Sequence, residues 1–145
     1  MTIHDKFQDQ LADAERRLRA ITEQQACTPI RDGAWSRKQV LGHLIDSSLN
    51  NHQRFVRASL QEEYEGPGYE QEGWVRMHAY DSLPWTELVD LWASHNRLLT
   101  RVTGLVPESK YEVICRVGHY EPMTLLALME DYLVHMRHHL NQIHG

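Results

Sequence analysis

Apolar residues recur at spacings of three and four along four separate stretches of this chain, and that 3.6-residue period, repeated four times, requires helices that bury one face against each other. Ile3, Phe7, Leu11, Ala14, Leu18 and Ile21 share one face and predict a helix over about residues 3–25. Pro29, Asp32 and Gly33 mark a turn. Ser36 with Gln39 three residues on has the form of a capping box, and Val40, Leu41, Leu44, Ser48 and Phe55 carry a second helix to about Leu60. A third starts near Ser82 with Pro84 in its first turn, buries Trp85, Leu88, Trp92 and Leu99, and stops by Gly104 or Pro107. The fourth runs from about Thr124 to Ile143. Residues 62–82, broken at Gly66-Pro67-Gly68, form the longest connection. Tyr111 to Val117 alternates as a short strand would, but with no second convincing strand it reads as an extended loop. The expectation is an all-α protein: a single domain over 1–145, a four-helix bundle with a long crossover connection between helices 2 and 3.

With 145 residues, of which 41% are hydrophobic, the chain can build a core without a disulfide or an ion, so a bound metal would call for a functional explanation. Fifteen Lys and Arg against 20 Asp and Glu give a formal charge of −5 with no basic run, which argues against nucleic acid as a partner. The longest apolar run, Leu125 to Met129, is too short for a bilayer, and the start has no signal-like apolar segment. No membrane partner and a cytoplasmic location are expected. Cys27 and Cys115 make no framework and read as small buried hydrophobes. The aromatics of 62–82, Tyr64, Tyr69, Trp74 and Tyr80, read as sealing one end of the bundle or a dimer contact, ahead of roofing a ligand pocket.

Ten histidines are the unusual count, and helix phase sorts them. With Met136 as the centre of the last helix's buried stripe, His139 falls about 60° away, His135 about 100° away and His138 on the opposite face. His135 and His139 stand one turn apart, the spacing that lets two imidazoles grip one ion. The segment lacks the Glu of HExxH, which disfavours a zincin-type protease. On the second helix His43 lies in a polar strip with Ser47, Asn50 and Arg54 that either lines a pocket or is a solvated edge. His95, turned partly inward, is a rival third ligand and, with Ser47, Asn50 and Arg54, a candidate pocket-lining residue; His52 and His78 are weaker rivals. Phase alone does not choose among them.

Trp35-Ser36 through His43-Leu-Ile-Asp46 resembles the second-helix signature of the DinB-like, or YfiT-like, superfamily of metalloenzymes. Asp131-Tyr132 through His135-Met-Arg-His138-His139 to Gln142-Ile143 is similar to the last-helix signature of the same family. The resemblance implies a four-helix bundle, often dimeric, whose metal is held by His43, His135 and His139. It also implies thiol-dependent transfer or hydrolysis as the range of reactions.

Three neutral imidazoles leave a coordination place open, and zinc or nickel suits them. An acid filling that place has its pKa lowered, so a low-molecular-weight thiol would give an S-transferase and water a hydrolase. Asp46 and Asp131 both point away from the core by helix phase, leaving no evident carboxylate base. The first expectation is therefore a metal- and thiol-dependent S-transferase acting on a small molecule. A metal-dependent hydrolase is the alternative, and a non-catalytic metal- or ligand-binding module is the third.

Overall fold

A computed structural model describes residues 1–145. Four long helices form the bundle: α1 (Ile3–Arg19), α3 (Arg37–Ser59), α5 (Trp85–Leu105) and α6 (Leu125–His144), with short α2 (Glu23–Cys27) and α4 (Gln71–His78) between them. Around the bundle the order is α1, α5, α3, α6, so α3 packs against both α5 and α6. Thr2, Ser36 and Thr124 cap α1, α3 and α6 through their hydroxyls, and Thr2 and Ser36 do so in full capping boxes.

The helix expected over 3–25 ends earlier. Thr22 accepts the Gln25 N–H and Gln25 returns to the Thr22 N–H, a third capping box that restarts the chain as α2. Helix α2 has its own task. Its Glu23 accepts the Trp85 N–H at 2.7 Å, supplying the cap that Pro84 cannot give α5, and pairs with buried Lys38 at 2.5 Å. Helix α5 therefore starts at Trp85, and Ser82 belongs to the 3-10 turn Tyr80–Ser82 before it. Cys27, expected inside, is exposed at the end of α2, where its thiol donates to Glu23; Cys115 is buried.

The core is aromatic where α1, α3 and α6 meet. Phe7 stacks on Tyr132 at 5.6 Å and meets Phe55 edge-on at 6.5 Å, and all three rings are buried.

The second connection and the one before α6 form a small sheet, which corrects the loop reading of Tyr111–Val117. Strand β1 (Tyr64–Gly66) pairs in parallel with β2 (Ile114–Val117), and β2 pairs antiparallel with β3 (Met123–Thr124). A three-residue partner some fifty positions away is too short to show a period of two. At the seam Gly118 has φ +54° and donates its N–H to the Gly66 carbonyl at 2.9 Å; a Cβ there would lie 3.1 Å from the Gly68 nitrogen. Tyr64 and Tyr80 are buried, and Tyr80 occupies the space beside Gly42, where a Cβ would come within 2.0 Å of the ring. No helix is long and apolar enough to cross a membrane.

Candidate metal centre

The first half of α3 and the second half of α6 bring His43, His135 and His139 together. His43 is 1% exposed and the other two are half-buried. His43 Nε2 stands 3.2 Å from His135 Nε2. The three ring centroids are 4.6–5.1 Å apart, and each pair of rings is tilted by 74–80°, so the rings face one point from three directions. One ligand atom from each lies within 4.8 Å of the others. Nitrogens about 2.0–2.1 Å from one tetrahedral ion are separated by roughly 3.3 Å, which the His43–His135 pair already matches at 3.2 Å.

Protonation favours the same outcome. Burial, with the neighbouring rings adding to it, pushes His43 down to about 3 and His135 to about 4, and it lowers His139 as well. All three are therefore neutral at pH 7, with lone pairs free. His139 Nδ1 lies 2.8 Å from the Gln142 side-chain oxygen, an acceptor, so Nδ1 carries the proton and Nε2 is the free donor atom. His43 Nδ1 is buried without a partner. Trp35 packs 5.5 Å from the His43 ring, and His138 is exposed.

His135 opens onto a cavity of about 850 Å³. Its walls are Ser47, Asn51 and Arg54 of α3, Leu128, Asp131 and Tyr132 of α6, Tyr69 and Glu70 before α4, and Cys115 with Gly118–Glu121 from the sheet and its turn. Of the polar strip read from the sequence, Ser47 and Arg54 line this cavity. Asn50 does not: its amide donates back to the Asp46 carbonyl at 2.9 Å, and its neighbour Asn51 takes the wall position. The spacing 43, 47, 51, 54 is as helical as the one through 50, so the pattern carried the right signal at one residue's remove. Tyr69 also lines the cavity, so the 62–82 connection roofs a pocket as well as sealing the bundle.

His95 stands apart from the triad and, against the expectation that it lines the pocket, is not on the cavity wall. Its Nδ1 meets the Ser48 hydroxyl at 2.9 Å and its Nε2 meets His52 Nδ1 at 3.1 Å. His78 sits instead beside Asp46, at 2.9 Å.

The expected lack of an inward carboxylate is corrected at Asp46. Asp131 is exposed, as helix phase predicts, but stands at the rim of the cavity with His135, as do exposed Glu70 and Glu121. Asp46, assigned to an outer face by phase, is fully buried, because α4 and the 3-10 turn cover that flank of α3. Its Oδ1 accepts the Tyr80 hydroxyl at 2.6 Å, its Oδ2 has no partner, and burial raises its pKa.

A family model described as the DinB superfamily matches residues 6–143. The chain belongs to the DinB superfamily. A DinB relative from Geobacillus thermodenitrificans is 31% identical over 136 residues, spanning 92% of this chain and 76% of its own. One from Bacillus pumilus is 28% identical over 139 residues, spanning 93% and 79%. Both carry the name "Putative metal-dependent hydrolase". The solved structure of YfiT from Bacillus subtilis superposes with a TM-score of 0.84 at 23% identity, over 97% of this chain and 83% of that one, so the two share a fold. It is described as "a probable metal-dependent hydrolase with an unusual four-helix bundle topology". In this DinB chain the donor set, three neutral imidazoles beside a cavity, suits a divalent metal ion.

Proposed function

We propose that the protein is a metal-dependent hydrolase of small molecules, with His43, His135 and His139 as the residues that hold a divalent ion. The observation that carries this reading is the convergence of three neutral imidazoles, one of which, His135, lines an 850 Å³ cavity, and the names of the relatives support it. Zinc and nickel both suit imidazole nitrogen. Such an ion, when bound, lowers the pKa of water toward neutrality and polarises a carbonyl.

The chain's own residues divide the remaining work. Gln142 fixes the tautomer of His139. Trp35 covers one side of His43 and limits access of bulk water there. Asp131, one turn before His135 on α6, offers a carboxylate on the cavity wall to take up a proton. That carboxylate removes the main ground for ranking an S-transferase first. Nothing on the cavity wall singles out a thiol, and the Cys115 thiol that does lie there is itself held protonated by burial.

The test is reconstitution. Protein stripped with a chelator is reloaded with zinc, nickel, manganese or cobalt and offered a panel of esters and amides without thiol. Hydrolysis that returns with metal and is lost in His135→Ala is expected. Consumption of an electrophile only when a thiol is added would restore the S-transferase, and one tightly bound metal per chain with neither activity would make the protein a binding module.

A further inference from the structure

Two cations are buried in this molecule, and they differ in one respect. Lys38, 3% exposed, is paired with Glu23. Arg54, 8% exposed, has no carboxylate within ion-pair distance. Of its five N–H groups two are used, and both in long bonds: Nη1 to the Asn51 side-chain oxygen at 3.3 Å and Nη2 to the Pro67 carbonyl at 3.4 Å. The Tyr69 ring lies 6.0 Å from the guanidinium carbon. Arginine is rarely buried without a partner, because neither two neutral carbonyls nor a ring face replaces the water its charge has lost. Burial accordingly lowers its pKa. The unpaired fork lines the cavity that His135 lines.

We propose that Arg54 receives a carboxylate of the substrate, so that the substrate is an elongated molecule with an anionic end at Arg54 and its reacting bond near His135. This deepens the hydrolase reading and rests on it for the reacting bond alone. Asn51 orients the fork through its amide oxygen while its own amide nitrogen is held by the Ser47 carbonyl at 2.9 Å. The elongated shape follows from the helix. Arg54 and His43 are 11 positions apart on α3, about 16 Å of axis, and one cavity wall contains both Arg54 and His135. The three N–H groups left over on one planar fork suit the two oxygens of a carboxylate. Glu70, Asp131 and Glu121 on the same wall disfavour a phosphate dianion.

Calorimetric titration tests this with adipic acid monoanilide, with the same compound in which the acid is a primary amide, and with inorganic phosphate, on zinc-loaded and on metal-stripped protein. The monoanilide is expected to bind at least tenfold more tightly than its amide in both forms. Arg54→Gln should erase that preference, and Arg54→Lys, which keeps the charge without the fork, should retain part of it. Arg54→Gln should melt at or above the wild-type temperature, since it removes an unpaired buried charge. Were it to unfold, the acid-against-amide comparison on the wild type would still decide. Equal binding of acid and amide overturns the proposal, as does phosphate binding that depends on Arg54 and exceeds that of the monoanilide. Hydrolysis is read separately: Arg54-dependent binding of the monoanilide leaves the carboxylate seat in place whether or not this short probe turns over, and the hydrolase stands or falls on the ester and amide panel.

Discussion

Helix α3 carries two histidines that each meet a histidine from another helix, at nearly the same distance: His43 and His135 at 3.2 Å, His52 and His95 at 3.1 Å. The meetings differ in what the remaining nitrogens do. At the second, the Ser48 hydroxyl donates to the Ile45 carbonyl, so its oxygen can accept from His95 Nδ1, and His95 Nε2 is then free to accept from His52 Nδ1. That chain of donors and acceptors closes without an ion. At the first, a third ring points to the same spot, its outer nitrogen is held by Gln142, and His43 Nδ1 has no partner in any tautomer. A short nitrogen–nitrogen distance is therefore a poor guide to a metal ligand. The number of lone pairs left over is a better one.

The largest expected effect separates the two clusters. His135→Ala or His139→Ala should weaken metal affinity by roughly a hundredfold or more, measured by competition with a chromogenic chelator. His52→Ala, His95→Ala and His138→Ala should leave it unchanged, and a comparable loss in His95→Ala would break the comparison. Next comes pH. Once unfolded, His43 and His135 take protons near the ordinary value of 6.5, whereas folded they hold them only near 3 and 4. The unfolded state thus binds more protons below 6.5, and the metal-free protein should lose stability as pH falls from 6.5 toward those folded values. For His43 the slope approaches about 1.4 kcal/mol per pH unit, and half-buried His135 contributes less. Urea midpoints of stripped protein at pH 7.5 and 5.5 would show it, and His43→Gln should flatten the dependence.

How far such a contrast was readable beforehand depends on what each residue answers to. Local periodicity with a local cap is visible in the chain itself, so the starts of α3 at Ser36 and of α6 at Thr124 were legible, and helix phase distinguished His139 from exposed His138. Features that depend on distant partners were not. Strand β2 needs β1 from another connection, α5 takes its cap from Glu23, and Asp46 is inside because α4 and the turn before α5 cover a face that phase assigns to solvent. The carboxylates at 70 and 121 sit on loops, where no period exists to orient them.

Two smaller effects sharpen the contrast. Gln142→Ala frees the outer nitrogen of His139 and should reduce metal affinity about tenfold with little change in melting temperature. Ser48→Ala should do the reverse, costing about 1 kcal/mol of stability by leaving His95 Nδ1 without its partner while metal affinity holds.

The seam at Gly66, Gly68 and Gly118 joins two connections that also pack on the bundle, with Tyr64 and Val117 buried in its core. Chemistry and part of the clientele are thereby carried by different pieces of chain: the imidazoles and Arg54 ride on α3 and α6, whereas much of the opposite wall belongs to the two connections joined at this seam. A side chain introduced at Gly118 would press on the Gly68 backbone and part the seam, altering which molecules fit while the histidines stay where they are. The molecule is in this sense modular, a fixed reactive floor under an exchangeable rim.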